Sequence, residues 1–217
     1  MNTNLAIILA VGSYLVGAIP TGFLAVRLLR GEDIRTIGSG NIGATNVVRV
    51  MGRKWGFVIW FADALKGFAP CFIAGRLNQP QHNWGDYNLP PIVVICGLAA
   101  IIGHMFPVYL KFRGGKGVST SCGVFLYLFP LGCVIGTTVW GVTLGITRYV
   151  SVSSILASLA LVAAALVLPA DPLGASAWLT GVCVLGAALV ILRHHPNIKR
   201  LIAGTENKIG AKKSPPA

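Results

Sequence analysis

The sequence predicts an all-α polytopic membrane protein with seven transmembrane helices, its N-terminus outside and its C-terminus cytoplasmic. Three observations carry that expectation. The 217-residue chain is 54% hydrophobic and only 11% charged, whereas soluble domains hold about 25% charged residues. Its mean hydropathy is +0.73. Long apolar stretches alternate with short segments that hold nearly all of the Lys and Arg. A formal charge of +12 would suggest nucleic acid in a soluble protein. Beside such apolar stretches it is a topology signal instead, since Lys and Arg accumulate in cytoplasmic loops.

A helix that crosses the hydrocarbon core needs about 20 largely apolar residues. Spans are expected over 4–26, 55–75, 90–110, 152–169 and 174–192. No Lys or Arg precedes Arg27, and a cleaved signal peptide opens on a positive region. The first span is therefore expected to stay in the membrane. The stretch 117–147 carries no charge. As one helix its 31 residues would extend about 46 Å, against a core of ~30 Å. Pro130 and Gly132 lie near its middle, where a break is expected. One long tilted span competes with a hairpin of two short helices.

Charge decides between them. The first loop, 27–54, holds Arg27, Arg30, Arg35, Arg49, Arg53 and Lys54. Segment 111–116 holds Lys111, Arg113 and Lys116. The tail holds Arg193, Lys199, Arg200, Lys208, Lys212 and Lys213. Loops 76–89 and 170–173 offer only Arg76, with Asp86 and Asp171. If 117–147 crosses once, the basic tail lands outside. If it crosses twice, the tail and Arg148 both land inside, so helices four and five are expected to be short. The chain reads as a single integral-membrane domain over 1–217, with motif segments near 27–54, 111–117, 148–154 and 193–217. No internal repeat is evident. Cys71, Cys96, Cys122, Cys133 and Cys183 lie in or beside apolar stretches with no C-x-x-C spacing. They read as buried free thiols, and no metal site is expected.

Four polar segments are unlike ordinary connectors. The first is Gly38-Ser39-Gly40-Asn41-Ile42-Gly43-Ala44-Thr45-Asn46, followed by Arg49. Its glycines allow backbone N–H groups to converge on an anion, or simply permit a turn. Ser39, Thr45 and Asn46 add donors, and Arg49 can grip a phosphate through two N–H groups. The second joins Gly103-His104 and Phe106-Pro107 to Lys111-Phe112-Arg113-Gly114-Gly115-Lys116-Gly117. Gly-Gly-Lys-Gly resembles a phosphate cradle but lacks the full Walker spacing. His104 reads either as a structural hydrogen-bonder or as a substrate ligand. The third, Arg148 to Ser154, suits an anion pocket or a helix start capped by Ser151 or Ser153. The fourth, His194-His195-Pro196-Asn197-Ile198-Lys199-Arg200 with Gly204 and Glu206, offers imidazole, amide, cations and a carboxylate. A basic tail on anionic lipid is the plainer alternative. Within the second span, Asp63 and Lys66 stand at i, i+3 and read as a structural ion pair.

Taken in order, these residues resemble the bacterial acyl-phosphate-dependent glycerol-3-phosphate acyltransferase family. The matching stretches begin with Gly12-Ser13-Tyr14-Leu15, Ile19-Pro20-Thr21-Gly22, the Gly38–Asn46 loop with Arg49, and Asp63-x-x-Lys66-Gly67. Further on come Gly103-His104-x-Phe106-Pro107-Val108, the Gly-Gly-Lys-Gly loop, and His194-x-x-Asn197-Ile198-x-Arg200-Leu201-x-x-Gly204-x-Glu206. Ser119 and the pair His195-Pro196 depart from the commoner pattern.

The resemblance implies acyl transfer from acyl phosphate to the 1-hydroxyl of sn-glycerol 3-phosphate, at the cytoplasmic face of a bacterial inner membrane, with no cofactor. It implies catalytic roles for Ser39, Arg49, His194 and Asn197. Gly38, Gly40, Asn41, Gly43, Thr45, Asn46, His104, Gly114, Gly115, Lys116 and Ser154 join those four as substrate ligands. Glu206 is expected to hold the tail. Soluble-domain glycerolipid acyltransferases carry H-x-x-x-x-D, and no histidine here has an Asp at that spacing. A transporter of phosphorylated anions is the rival from another class, and a polybasic lipid-binding scaffold is a third option.

Overall fold

The computed structural model describes residues 2–78, 87, 89–169 and 177–210, and among these the regular structure is helical, with no strand. Asp86, Asp171, the first residues of the expected last span (174–176), Lys212 and Lys213 lie outside the described residues.

The first apolar segment forms α1 (Thr3–Ala18) and α2 (Thr21–Arg30). One continuous span over 4–26 was expected, but the chain breaks at Ile19-Pro20. Pro20 has no N–H to continue the helical ladder. The break takes the Ile19 carbonyl out of the helical ladder; Thr21 N–H donates to it at 3.0 Å, and Lys66 on α4 (Arg53–Asn78) donates to it at 2.8 Å. Asp63 lies 2.8 Å from the same ammonium and accepts from the Thr21 hydroxyl at 2.5 Å. The two charges thus neutralise each other and bracket the break, as buried ions require in hydrocarbon.

A short amphipathic helix, α3 (Ala44–Met51), occupies part of what reads as loop in the sequence. Then come α5 (Pro91–Met105), α6 (Val118–Leu128) and α7 (Pro130–Thr147). The chain continues through α8 (Val150–Val167), α9 (Ala177–Arg193) and α10 (His195–Ile202). The uncharged stretch 117–147 is a broken pair. Phe129 is the break, and Pro130 opens α7. Both halves were expected to be short, yet only α6 is, at 11 residues. The break falls well before the end of the stretch, so α7 keeps 18 residues, about 27 Å of helix.

Among the described residues, five helical stretches are long and apolar enough to cross a membrane: Thr3–Arg30 taken through its break, Arg53–Asn78, Pro91–Leu110, Pro130–Thr147 and Val150–Val167. Joined across a 56° bend, α9 and α10 make a sixth. Large apolar side chains face outward, among them Leu28, Ile146 and Val167, each nearly four-fifths exposed. Such a surface suits lipid and not water.

Inside, helix backbones meet at small residues. A Cβ on Gly17 of α1 would strike the Ala100 backbone of α5, and one on Gly103 would strike the Tyr14 carbonyl. Between α4 and α6, Gly67 lies against Thr120 and Gly123 against Ala64. Close approach at small residues is how membrane helices pack, because lipid provides no hydrophobic drive between them. Replacing Gly123 with Val is expected to cost about 1–3 kcal/mol through overpacking. Thermal unfolding in detergent should show a clearly lowered midpoint, and an unchanged midpoint would contradict the α4–α6 contact.

Candidate active site

Three segments distant in sequence meet at one end of the bundle. They are the Gly-Gly-Lys-Gly loop before α6, the start of α8, and the stretch from α9 through α10 to Glu206. The Lys116 ammonium donates to Asn197 Oδ1 at 2.5 Å. Asn197 in turn donates through Nδ2 to Glu206 Oε1 at 2.6 Å. The same carboxylate oxygen accepts from Ser151 Oγ at 2.9 Å, and Oε2 accepts from Arg200 Nε at 2.7 Å. The Glu206 side chain is only 5% exposed. Burial pushes its pKa upward, but hydrogen bonds from Asn197, Arg200 and Ser151 outweigh that and lower it overall.

The local sequence explains the placement. Pro196 stands in the first turn of α10, where its missing N–H costs nothing. His194 lies at the α9–α10 bend and is 2% exposed. Its Nδ1 lies 2.8 Å from the Val190 carbonyl. A carbonyl only accepts, so Nδ1 carries the proton and Nε2 keeps a lone pair. Arg193 clamps the glycine loop from outside, donating to Gly115 O at 3.0 Å and Gly114 O at 2.8 Å. Its guanidinium also lies over the Phe106 ring, 5.1 Å from the centroid.

Charge here is one-sided. Lys116 sits in the field of Arg200, Arg49 and Arg193, with Glu206 as the opposing charge. Burial above all, then those cations, push its pKa down to about 8. Arg49, at the exposed end of α3, interacts with both Glu206 and Arg200. Burial and Arg200 lower its pKa, and Glu206 raises it. Four cations around one carboxylate leave excess positive charge, the condition for holding a phosphate.

The Gly38–Asn46 loop is organised differently from the expected cradle. Asn46 is 1% exposed and fully engaged within it. Its amide donates to the carbonyls of Ile34, Ile37 and Asn41, and its Oδ1 accepts from Ser39 N–H at 2.7 Å. Gly40 N–H donates to Ile37 O, and Gly43 N–H donates to Asn41 Oδ1 at 2.8 Å. Asn46 and Asn41 therefore shape the loop rather than offer free donors, and three N–H groups are already taken. Gly38 and Gly40 adopt φ of 62° and 71°, which side chains resist. What the loop presents outward is Ser39 and the first turn of α3, with Ala44 and Thr45, whose N–H groups lack helical partners.

Two further expectations change. Neither Ser151 nor Ser153 caps α8; the residue before the helix is Tyr149, which makes no side-chain cap. Ser154 donates to Val150 O and meets Trp140 Nε1 at 3.3 Å in the α7–α8 contact. One turn nearer the loops, Ser151 is the serine that reaches Glu206. His104 is 4% exposed and lies behind the glycine loop. Gly115 N–H donates to its carbonyl at 3.0 Å, and a Cβ on Gly115 would land on its Nε2. Ser151, Arg193 and Arg200 were given no individual site role from the sequence. Arg193 read there as topology charge only, Arg200 as one cation of the fourth polar segment, and Ser151 as part of an anion pocket or a helix cap.

Glu206→Ala is expected to remove about 2–3 kcal/mol, the worth of hydrogen bonds to a charged group. The measurements are a lowered thermal midpoint and earlier protease cleavage of the tail. A tail as resistant as in the parent would contradict Glu206 as its anchor.

Residues 7–204 match the family model for glycerol-3-phosphate acyltransferase. A glycerol-3-phosphate acyltransferase of Geotalea daltonii is 44% identical over 201 residues, covering 93% of this chain and 96% of that one. Among solved structures, PlsY (YgiH), an integral membrane glycerol 3-phosphate acyltransferase, superposes in its glycerol 3-phosphate form with a TM-score of 0.82. It is 36% identical, with 94% of this chain and 96% of that one covered. Its lysophosphatidic acid form gives a TM-score of 0.79 at 35% identity, covering 94% and 95%. Likeness of this extent, end to end in sequence and in fold, shows that the chain belongs to the glycerol-3-phosphate acyltransferase family.

Proposed function

We propose that this acyltransferase moves a fatty acyl group from acyl phosphate to the 1-hydroxyl of sn-glycerol 3-phosphate, releasing 1-acyl-glycerol 3-phosphate and phosphate. The observation that carries this reading is the meeting of Arg49, Arg193, Arg200 and Glu206 around Lys116 at one end of an apolar bundle. Both substrates bear phosphate, so cations are needed, and an acyl tail needs an apolar wall beside them. An anion transporter would place its polar groups near the middle of the membrane. Here the cations, Asn197 and Ser151 gather where the helices end.

The same placement supports the topology. If α6 crosses despite its 11 residues, it adds to the five spans and the α9–α10 pair to make seven. The N-terminus then lies outside, and the segments near 27–54, 111–117, 148–154 and 193–210 share the cytoplasmic face of a bacterial inner membrane. All belong to one domain.

Acyl phosphate is a mixed anhydride and already electrophilic, so no covalent enzyme intermediate is required. The glycerol 1-hydroxyl attacks the carbonyl carbon, the C–O bond to phosphate breaks, and the hydroxyl proton ends on phosphate. A phosphate oxygen of bound substrate accepts that proton in the simplest version. The Nε2 lone pair of His194 favours a second version in which His194 accepts it. Ser39 and Arg49 handle a phosphate, with Gly38, Gly40, Gly43 and Thr45 shaping the loop around it. Gly114, Gly115 and Lys116 serve the other phosphate, and Asn197 and His194 orient the glycerol backbone. Glu206, which three donors already hold, keeps the tail in place.

Purified protein should form 1-acyl-glycerol 3-phosphate from synthetic acyl phosphate plus sn-glycerol 3-phosphate, with release of phosphate, and should form none when acyl-CoA or acyl-carrier-protein thioesters replace the acyl phosphate. Folded protein without release would refute the reaction, and equal use of thioesters would refute the donor. Arg49→Ala should lower kcat/KM by about 100-fold while the protein still inserts and folds. Near-normal turnover would remove Arg49 from the site.

Lys116 makes the reaction pH-dependent. A dianion binds the protonated ammonium, so kcat/KM should fall as pH rises through about 8. An arginine stays charged to above about 12. Lys116→Arg should therefore abolish that alkaline limb even if it lowers the plateau. A limb unchanged in Lys116→Arg would assign the titration to another group.

A further inference from the structure

We propose that His104 is a positioning residue. Its imidazole is the seat on which Gly115 rests, and the buried Asp63–Lys66–Thr21 node behind it holds that imidazole in place, so that Lys116 reaches Asn197. This rests on the phosphate-binding role of Lys116 given above.

The geometry runs through the bundle in one connected line. At the α1–α2 break, Thr21 donates to Asp63 and Lys66 donates to the Ile19 carbonyl. Asp63 is 1% exposed and Lys66 6%, so water does not dilute their fields. On the far side of Asp63 stands His104, its Nδ1 3.7 Å from Asp63 Oδ1 and without a hydrogen-bond partner. A carboxylate there favours the tautomer with the proton on Nδ1. The opposite edge of the ring faces Gly115, close enough that a side chain at 115 would occupy the position of Nε2. Backbone fastens the contact: Gly115 N–H donates to His104 O, while Arg193 holds Gly114 O and Gly115 O from the other side. Gly115 is thus clamped between an imidazole and a guanidinium, and the next residue is Lys116. The loop has no freedom left to place that ammonium elsewhere. His104 itself stays behind the loop, buried from the face where substrate would bind.

The contact can be tested through its shape. A Cβ on Gly115 meets the His104 side chain, whereas a Cβ on Gly114 meets the carbonyls of His104 and Met105 and the Pro107 ring, none of them part of the His104 side chain. His104→Ala should therefore raise KM for at least one phosphorylated substrate by about tenfold and leave kcat within about threefold. Gly115→Ala should be harmful in the parent and much less so in the His104→Ala background, where the space is open. Gly114→Ala should be equally harmful in both. An unchanged KM in His104→Ala, or a Gly115→Ala penalty of the same size in both backgrounds, would overturn the proposal. His104→Asn, smaller yet polar, replaces His104→Ala if that variant does not fold, and folding is judged by gel filtration and thermal midpoint.

Asp63→Asn combined with Lys66→Met removes both buried charges together and strands neither. It should shift KM in the direction of His104→Ala, without adding to it in the combined variant. An unchanged KM would detach the node from the loop and overturn that part. Failure of the parent protein to turn over at all would overturn the functional reading instead, so the two failures are distinguishable.

Discussion

One buried carboxylate holds the working end of this molecule together. Glu206 lies past the last helix, in a tail that would otherwise be a string of polar residues on a membrane surface. By accepting from Ser151, Asn197 and Arg200 it ties the tail to α8 and α10. Asn197 then passes the constraint to Lys116, 81 residues away in sequence. The cations would repel one another without a shared anion between them. With one carboxylate against four cations, they stay assembled and still leave net positive potential for a ligand. An uncompensated charge cluster in a partly buried site would cost several kcal/mol, so the carboxylate that anchors the tail also offsets the cations beside it.

The helices beneath supply distance and rigidity. Small residues let α1 meet α5, and α4 meet α6, almost backbone to backbone. Those contacts place the ends of α5 and α6, and so the two ends of the Gly-Gly-Lys-Gly segment. The proline break after α1 exposes a carbonyl inside the apolar region. The Asp63–Lys66 pair answers it without leaving net charge in the membrane. Polar groups within the bundle are thus neutralised locally, and the surplus positive charge is confined to the end where the loops meet.

Much of this was legible in the residues alone. Hydropathy placed the apolar helices within a few residues, because twenty consecutive apolar side chains have few other uses. Charge exclusion split 117–147 into two, and the i, i+3 spacing of Asp63 and Lys66 anticipated their contact. Local pattern did not show what only tertiary contact decides. The break at Ile19-Pro20 was hidden within a continuous hydropathy signal, and α3 and α10 were too short and amphipathic to stand out. Asn46 looked like one more donor for a ligand. In space its four hydrogen bonds all turn inward, since a loop bent by Gly38 and Gly40 needs an internal brace. Arg193 resembled an ordinary topology charge, and nothing in its spacing marked it as the residue that binds the glycine loop; Arg200 stood within a motif, but its partner Glu206 was not legible from spacing. Ser151 and Ser154 are one helical turn apart, and only the position of Glu206 separates a site residue from a packing one.

Lys116 and Asn197 act as one unit, because the Lys116 ammonium donates directly to Asn197 Oδ1 while Glu206 holds the Asn197 amide in place. A double-mutant cycle on kcat/KM tests it most directly, with Lys116→Ala, Asn197→Ala and the pair measured in the same lipid and buffer. The double variant should lose less than the product of the single losses, with a coupling of about 1–3 kcal/mol. Losses that simply multiply, within about 0.5 kcal/mol, would mean that the two side chains work independently and that the Lys116–Asn197 hydrogen bond carries no function.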